Sequence, residues 1–190
     1  MVAVKKLTPY QRQLRRDIGY VTYVSKMDPD DVPDETWRTG HLEHVRDRLV
    51  RSVVSSEYTL IDTWLTVNIT HHFFRGAPRW SKKLRLFNQY VMDEMYLLQK
   101  VRLVHAIAPL PSKIREHAER INAVRNALSH NHFPEDRRQY STHRKVMYRG
   151  VHLFGMKGVE YFVHDAAEVI GELERRVLGE SLAAALAERS

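Results

Sequence analysis

Residues 119–135 read ERINAVRNALSHNHFPE and close an amphipathic helix. At about 100° per residue, Ile114, Ala118, Ile121, Val124 and Leu128 share one broad apolar face. Ser112 caps the start of this helix after Pro109 and Pro111. Pro134 disfavours helical geometry at Phe133, so the helix is expected to stop near His132. Arg125 lies on the edge of the apolar face, about 20° from Ile114 by the helix period. A guanidinium there needs an acceptor, because an unpaired buried charge is costly. Glu57 and Asp62 on an earlier helix are candidates, and an RNA phosphate is another. Pairing inside the bundle, or reaching out to water, is the ordinary alternative.

Working outward, helical spacing recurs on both sides of this stretch. Upstream, Thr8-Pro9 opens a first helix carrying Tyr10, Leu14, Ile18 and Val21, with Arg12, Arg15 and Arg16 on its wet side. Met27 to Glu35, with Pro29 and Pro33, reads as a linker. A long helix follows, with Leu42, Val45, Leu49, Val53, Leu60, Trp64 and Val67 as its expected buried stripe. It ends at His71-His72-Phe73-Phe74, before Gly76-Ala77-Pro78. Ser81 caps a further helix expected to bury Leu84, Phe87, Val91, Met95 and Leu98 and to run to Pro109.

Downstream, the period changes. Val146 to Phe154 is rich in β-branched and aromatic residues, Gly155-Met156-Lys157-Gly158 resembles a turn, and Val159 to Val163 fits a second strand. A last helix from about Asp165 to Ala187 places Val169, Ile170, Leu173, Val177 and Leu178 inside. The expected fold is all-α: an antiparallel helical bundle over residues 36–190, an N-terminal helical extension over 1–35, and a small β-hairpin before the last helix.

The 190 residues carry 43% hydrophobic side chains, enough for one packed core. Thirty Lys and Arg against 23 Asp and Glu give a net charge of +7, which favours polyanionic partners such as nucleic acid. The absence of cysteine excludes disulfides, thiolate nucleophiles and Cys-based zinc sites. No stretch is apolar enough to cross a membrane and no leader is evident, so a cytoplasmic protein without membrane contact is expected.

The chemistry centres on Arg125 and His130. A histidine in the last turn of a helix, near neutral pH, suits proton transfer to or from the oxygens of an RNA phosphodiester. A fixed guanidinium beside it would stabilise the extra charge on phosphorus, and Asn126 can orient either side chain. On a regular helix Arg125 and His130 diverge by about 140°, whereas Arg125 and His132 differ by about 20°. Unwinding near Ser129, a site built from two chains, and His132 as the partner all remain open. Ser129 adjoins His130 but makes no nucleophile–base pair with it.

The string Arg125-Asn126-x-x-x-His130 resembles the Arg-x(4–6)-His motif of HEPN domains (higher eukaryotes and prokaryotes nucleotide-binding). The polar residue directly after the arginine fits, and so does the position at the end of the third core helix of a four-helix up-and-down bundle. The resemblance covers roughly residues 40–180. It implies a metal-independent endoribonuclease of a toxin–antitoxin or antiviral defence system, acting on RNA as a homodimer whose motif helices line one cleft, with a possible antitoxin or defence partner. Arg125 and His130 would then be catalytic and Asn126 supporting, with Ser129 and His132 nearby. Glu57 is the nearest match to the assisting acid of the first core helix and Asp62 the second. The chain departs from the family in its hairpin-like insert at 146–163 and in its second histidine. Some HEPN domains keep the fold without the nuclease, so a non-catalytic RNA-binding or protein-docking module is the alternative.

Other groups are weaker candidates. Arg75, Arg79, Lys82 and Lys83 interleave with Phe73, Phe74 and Trp80, a pattern fit for strand binding or simply a solvated charge run. His41 with His44, and His71 with His72, lack the three or four ligands at recognisable spacing that zinc wants. No glycine cradle for a nucleotide occurs. No metal and no cofactor are expected.

Overall fold

The computed structural model describes residues 8–25, 35–78, 81–129 and 146–187. His130, His132, Arg79, Trp80, Pro134 and the linker residues 26–34 lie outside them. The chain divides into two units, Met1–Leu49 and Val50–Ser190.

In the first unit, helix α1 (Pro9–Ser25) begins at a reciprocal cap. The Gln11 side chain accepts from the Thr8 backbone N–H at 2.8 Å, and the Thr8 hydroxyl accepts from the Gln11 N–H at 3.2 Å. Arg48 donates to the Ser25 carbonyl at 3.2 Å, covering one of the acceptors left at the end of α1. Tyr10, Leu14, Ile18 and Val21 form the expected stripe, and all four are exposed.

In the second unit the chain is helical apart from one hairpin. Helix α2 (Glu35–Phe73) enters it at Val50. There follow α3 (Lys82–Phe87), a π-turn (Asn88–Met92), α4 (Leu97–Ile107), α5 (Ser112–Ser129), strands β1 (Met147–Tyr148) and β2 (Val151–His152), and α6 (Met156–Ala187). The core joins Val54, Ile61, Leu65 and Ile69 of α2 to Leu97 and Val104 of α4, Ile121 and Leu128 of α5, and Phe162 and Leu173 of α6. Arg51 meets Leu128 and Tyr58 meets Arg125, so α2 and α5 run in opposite directions. His117 meets Asp165 while Pro109 meets Arg176, so α5 and α6 do too. The all-helical bundle with a hairpin before its last helix is the architecture expected from the sequence.

Three local expectations are corrected. On α2 the buried face is Val45, Val50, Val54, Ile61, Leu65 and Ile69, while Leu42, Leu49 and Leu60 are exposed. Adjacent apolar pairs (Leu49-Val50, Val53-Val54, Leu60-Ile61, Trp64-Leu65) make two stripes about 100° apart, and packing selects the second.

The helix expected from Ser81 to Pro109 is broken. Ser81 caps it as expected, accepting from the Leu84 N–H at 3.2 Å. At the π-turn, however, Asp93 N–H reaches back five residues to the Asn88 carbonyl at 2.9 Å. The extra residue per turn advances the register, so Met92 is buried and Val91 exposed. The helix resumes after Tyr96, whose N–H is capped by the Gln99 side chain at 2.8 Å. It ends where the Leu110 N–H donates to His105 Nδ1 at 2.9 Å.

The hairpin is tighter than the expected 146–163. Tyr148 pairs with Val151 around a two-residue loop, Arg149-Gly150, with φ of 49° and 78°. Positive φ at both central residues is the type I′ pattern, whose twist matches that of the flanking strands. Val159–Val163 is helix, not strand, because Val159, Phe162, Ala166, Val169 and Leu173 continue one helical stripe. A Cβ on Gly158 would lie 2.2 Å from the His152 carbonyl oxygen, so glycine lets the first turn of α6 rest directly on the hairpin.

Candidate functional sites

Two polar groups stand out in the second unit. The first surrounds Arg125 in the last turns of α5. Its side chain is exposed, with Cζ 5.1 Å from the centre of the Tyr58 ring on α2. One guanidinium nitrogen donates to Asn126 Oδ1 at 3.3 Å. The Ser129 hydroxyl donates to the Arg125 carbonyl at 2.9 Å and is thus tied into the helix end. Arg51 donates to the Leu128 carbonyl at 2.7 Å, placing positive charge against the C-terminal end of α5.

The two carboxylates expected beside Arg125 are deployed otherwise. Asp62 pairs with Lys100 at 2.7 Å, and Lys100 also donates to the Thr66 hydroxyl at 3.1 Å. Lys100 is 3% exposed, so this pair compensates a charge held inside the bundle. Glu57 is half-buried, and no ion pair joins it to Arg125 among the described residues. Burial raises the Tyr58 hydroxyl pKa, with Asp62 pushing the same way and Arg125 opposing. Arg75, Lys82 and Lys83 are exposed, while Phe74 packs on Phe87 with ring centres 5.0 Å apart.

The second group is buried between α5, α6 and the hairpin, and sequence reasoning did not find it. His117 is 1% exposed and Asp165 0%. His117 Nε2 lies 2.9 Å from Glu168 Oε2, and Nδ1 lies 3.2 Å from Asp165 Oδ2. The buried Tyr148 hydroxyl donates to Asp165 Oδ2 at 2.8 Å. Cations surround this centre: Lys113 contacts Glu168 at 2.8 Å, Arg149 contacts Asp165 Oδ1 at 3.3 Å, and Arg120 contacts Oδ2 at 3.9 Å. The exposed His164 ring lies 3.7 Å from Oδ1. The left-handed backbone at Arg149, unusual outside glycine, carries its guanidinium toward Asp165 and across the Tyr161 ring at 5.6 Å.

Burial raises the Tyr148 hydroxyl pKa, and the Asp165 carboxylate reinforces the shift, while Arg120 and Arg149 oppose it. Lys113 holds the Glu168 carboxyl below the usual range, with His117 assisting against a desolvation penalty. Among the described residues, His117 Nδ1 and Asp165 Oδ1 are buried without a well-formed hydrogen bond.

The missed residues share a legible signal. His117 stands between Ile114 and Ile121, Asp165 between Phe162 and Val169, and Lys100 between Leu97 and Val104. Each takes an i+3/i−4 position where its helix otherwise places an apolar core residue.

No family model, characterised protein or solved structure matches the chain.

Proposed function

We propose that this protein is a metal-independent endoribonuclease resembling HEPN domains, acting as a homodimer in a toxin or antiviral defence setting. The observation that supports the reading is the Arg125 guanidinium: exposed, resting on Tyr58, hydrogen-bonded to Asn126, and five residues before His130. A planar guanidinium backed by an aromatic ring offers two parallel N–H donors to a phosphate. In the proposed reaction the ribose 2′-oxygen attacks phosphorus and the bond to the 5′-oxygen breaks. The 2′-hydroxyl proton passes to a base and the leaving 5′-oxygen gains a proton, with His130 as the group that moves one of them. The products are a 2′,3′-cyclic phosphate and a 5′-hydroxyl end. Arg125 stabilises the added charge on the phosphoryl oxygens, and removing such a donor lowers rates by about 10²–10³.

The test is single-stranded RNA incubated in EDTA with protein whose helical circular dichroism is intact. Cleavage by wild type, lost in Arg125→Ala and in His130→Ala, supports the proposal. Intact RNA with wild type, or undiminished cleavage by both variants, overturns it. Retained RNA binding without cleavage would leave the non-catalytic module as the reading.

A further inference from the structure

We propose that the exposed face of α3 and the π-turn is a docking strip for single-stranded RNA, with Tyr90 as its stacking platform and Lys82 and Lys83 as its phosphate contacts. From Arg75 to Met92 the sequence holds Arg75, Arg79, Lys82, Lys83 and Arg85 and no acid; Asp93 and Glu94 then close the basic run. Lys100, Lys113, Arg120, Arg175 and Arg176 in the same unit each face a carboxylate. Among the described residues, Lys82, Lys83 and Arg85 have no acidic partner, and all three are exposed. Cations held together without neutralisation attract a polyanion.

The backbone arranges these cations beside an aromatic ring. Phe87 packs on Phe74 and Phe73 with ring centres 5.0 and 6.2 Å apart, which fixes α3 against the end of α2. Lys82, Leu86 and Tyr90 then follow at four-residue steps along one face. That face is about 12 Å long, room for about three stacked nucleotides. The π-turn sends Met92 into the core and leaves Tyr90 65% exposed, a large ring held in water beside a charge run. Turns of this kind recur at functional sites. Phe73 is 54% exposed as well, so the aromatic residues here are not simply core.

The chemistry selects the partner. A base with a free face stacks on an exposed ring whatever its identity, while its phosphates meet the lysines. A duplex keeps its bases paired and offers the ring no such face. A lipid surface calls for a continuous apolar face, whereas here Leu86 and Tyr90 stand among cations, with exposed Asp93 and Glu94 next to them. About 22 Å of α2 separates Phe73 from Tyr58, the neighbour of Arg125, so the strip is a contact distinct from that site. The inference rests on RNA as the ligand of the proposed function and adds to it a second, sequence-tolerant hold on the strand.

The experiment is fluorescence anisotropy of full-length protein with a labelled 2′-O-methyl oligouridylate of about 15 nucleotides. Its blocked 2′-oxygen prevents cleavage, so binding is read whether or not the protein is a nuclease. Saturable binding that weakens with salt is expected. Tyr90→Ala should weaken it about fivefold or more, and Tyr90→Phe, which keeps the ring, should stay within about twofold of wild type. Lys82→Gln with Lys83→Gln should lower the slope of log affinity against log salt by about 1.4. These side chains are exposed, and unchanged melting temperatures show that the variants fold. Arg15→Gln with Arg16→Gln on α1 removes the same charge elsewhere and should do less. No binding, or equal weakening by the α1 pair, overturns the proposal. Indifference to Tyr90→Ala overturns it in favour of an acidic peptide as partner. Loss of binding to phosphatidylserine vesicles in these variants, with oligonucleotide binding intact, overturns it in favour of a membrane. RNA cleavage with oligonucleotide binding indifferent to the variants removes the strip and keeps the nuclease; binding through the strip by a protein that leaves RNA intact keeps the strip and removes the nuclease.

Discussion

Tyr148→Phe isolates the contribution of one buried hydrogen bond. The phenylalanine keeps the ring packed at 5.4 Å from Phe162 and removes only the hydroxyl that donates to Asp165 Oδ2 at 2.8 Å. A hydrogen bond to an ionised group contributes about 1.5–3 kcal/mol, and the Asp165 carboxylate that loses it is fully buried. For a chain of this size about 1 kcal/mol moves the melting point by roughly 2–4 °C, so a fall of roughly 3–12 °C is expected. Alkaline pH gives a second readout. The folded Tyr148 pKa is raised above its ordinary 10.0, so the unfolded chain loses this proton first. The stability it contributes is complete below about pH 10 and declines as pH rises through the folded value. Tyr148→Phe should therefore lose less stability than wild type between about pH 10 and 11. The assay is urea denaturation followed by circular dichroism at neutral and alkaline pH. A variant as stable as wild type at neutral pH, with an unchanged alkaline slope, would refute the view that this hydroxyl secures Asp165.

Other outcomes follow from the same contacts. Asp62→Ala should cost about 3 kcal/mol because it strands the buried Lys100 ammonium, whereas Lys100→Met leaves Asp62, 33% exposed, able to hydrate and should cost less; equal losses in urea melts contradict this. Gly158→Ala should destabilise by about 1–3 kcal/mol, since its Cβ would meet backbone at 2.2 Å, and a neutral effect would mean the first turn of α6 shifts freely. The lowered Glu168 pKa contributes stability above its unfolded value of 4.5 that is lost as pH falls through the folded value. Lys113→Gln should flatten this acid limb in pH-dependent melts. Arg125→Ala should leave the melting temperature within about 2 °C of wild type, because the side chain is exposed and its contacts are with an aromatic face and its neighbour Asn126.

The helical class was legible because periodicity survives averaging over many residues. Ile114, Ala118, Ile121, Val124 and Leu128 were all placed correctly in the core of α5. Periodicity failed where it is degenerate, as on α2, whose paired apolar residues fit two faces. It also failed where backbone geometry intervenes. Nothing in Asn88–Met92 announces an i→i+5 turn, and Arg149-Gly150 is a poorer type I′ signal than Asn-Gly, so the Gly155–Gly158 pair drew attention instead. The Arg125 neighbourhood was half legible. A partner on α2 was expected at Glu57 or Asp62 and is the intervening Tyr58, because Asp62 answers a buried lysine that the apolar pattern conceals. The His117 cluster was missed because its members come from different helices, with His117 and Asp165 48 positions apart, and sequence spacing alone does not bring them together.

A hairpin tip is where an engineer would ordinarily graft a reporter peptide or an affinity tag, since solvent-facing loops of two residues rarely object. Here the tip is wired inward, as Arg149 sits in a conformation that suits asparagine or glycine better and spends its long side chain on the interior. Lengthening this loop would relieve its backbone while cutting the tether to α6. The better place for cargo is the N-terminal end of α1, whose side chains already face water.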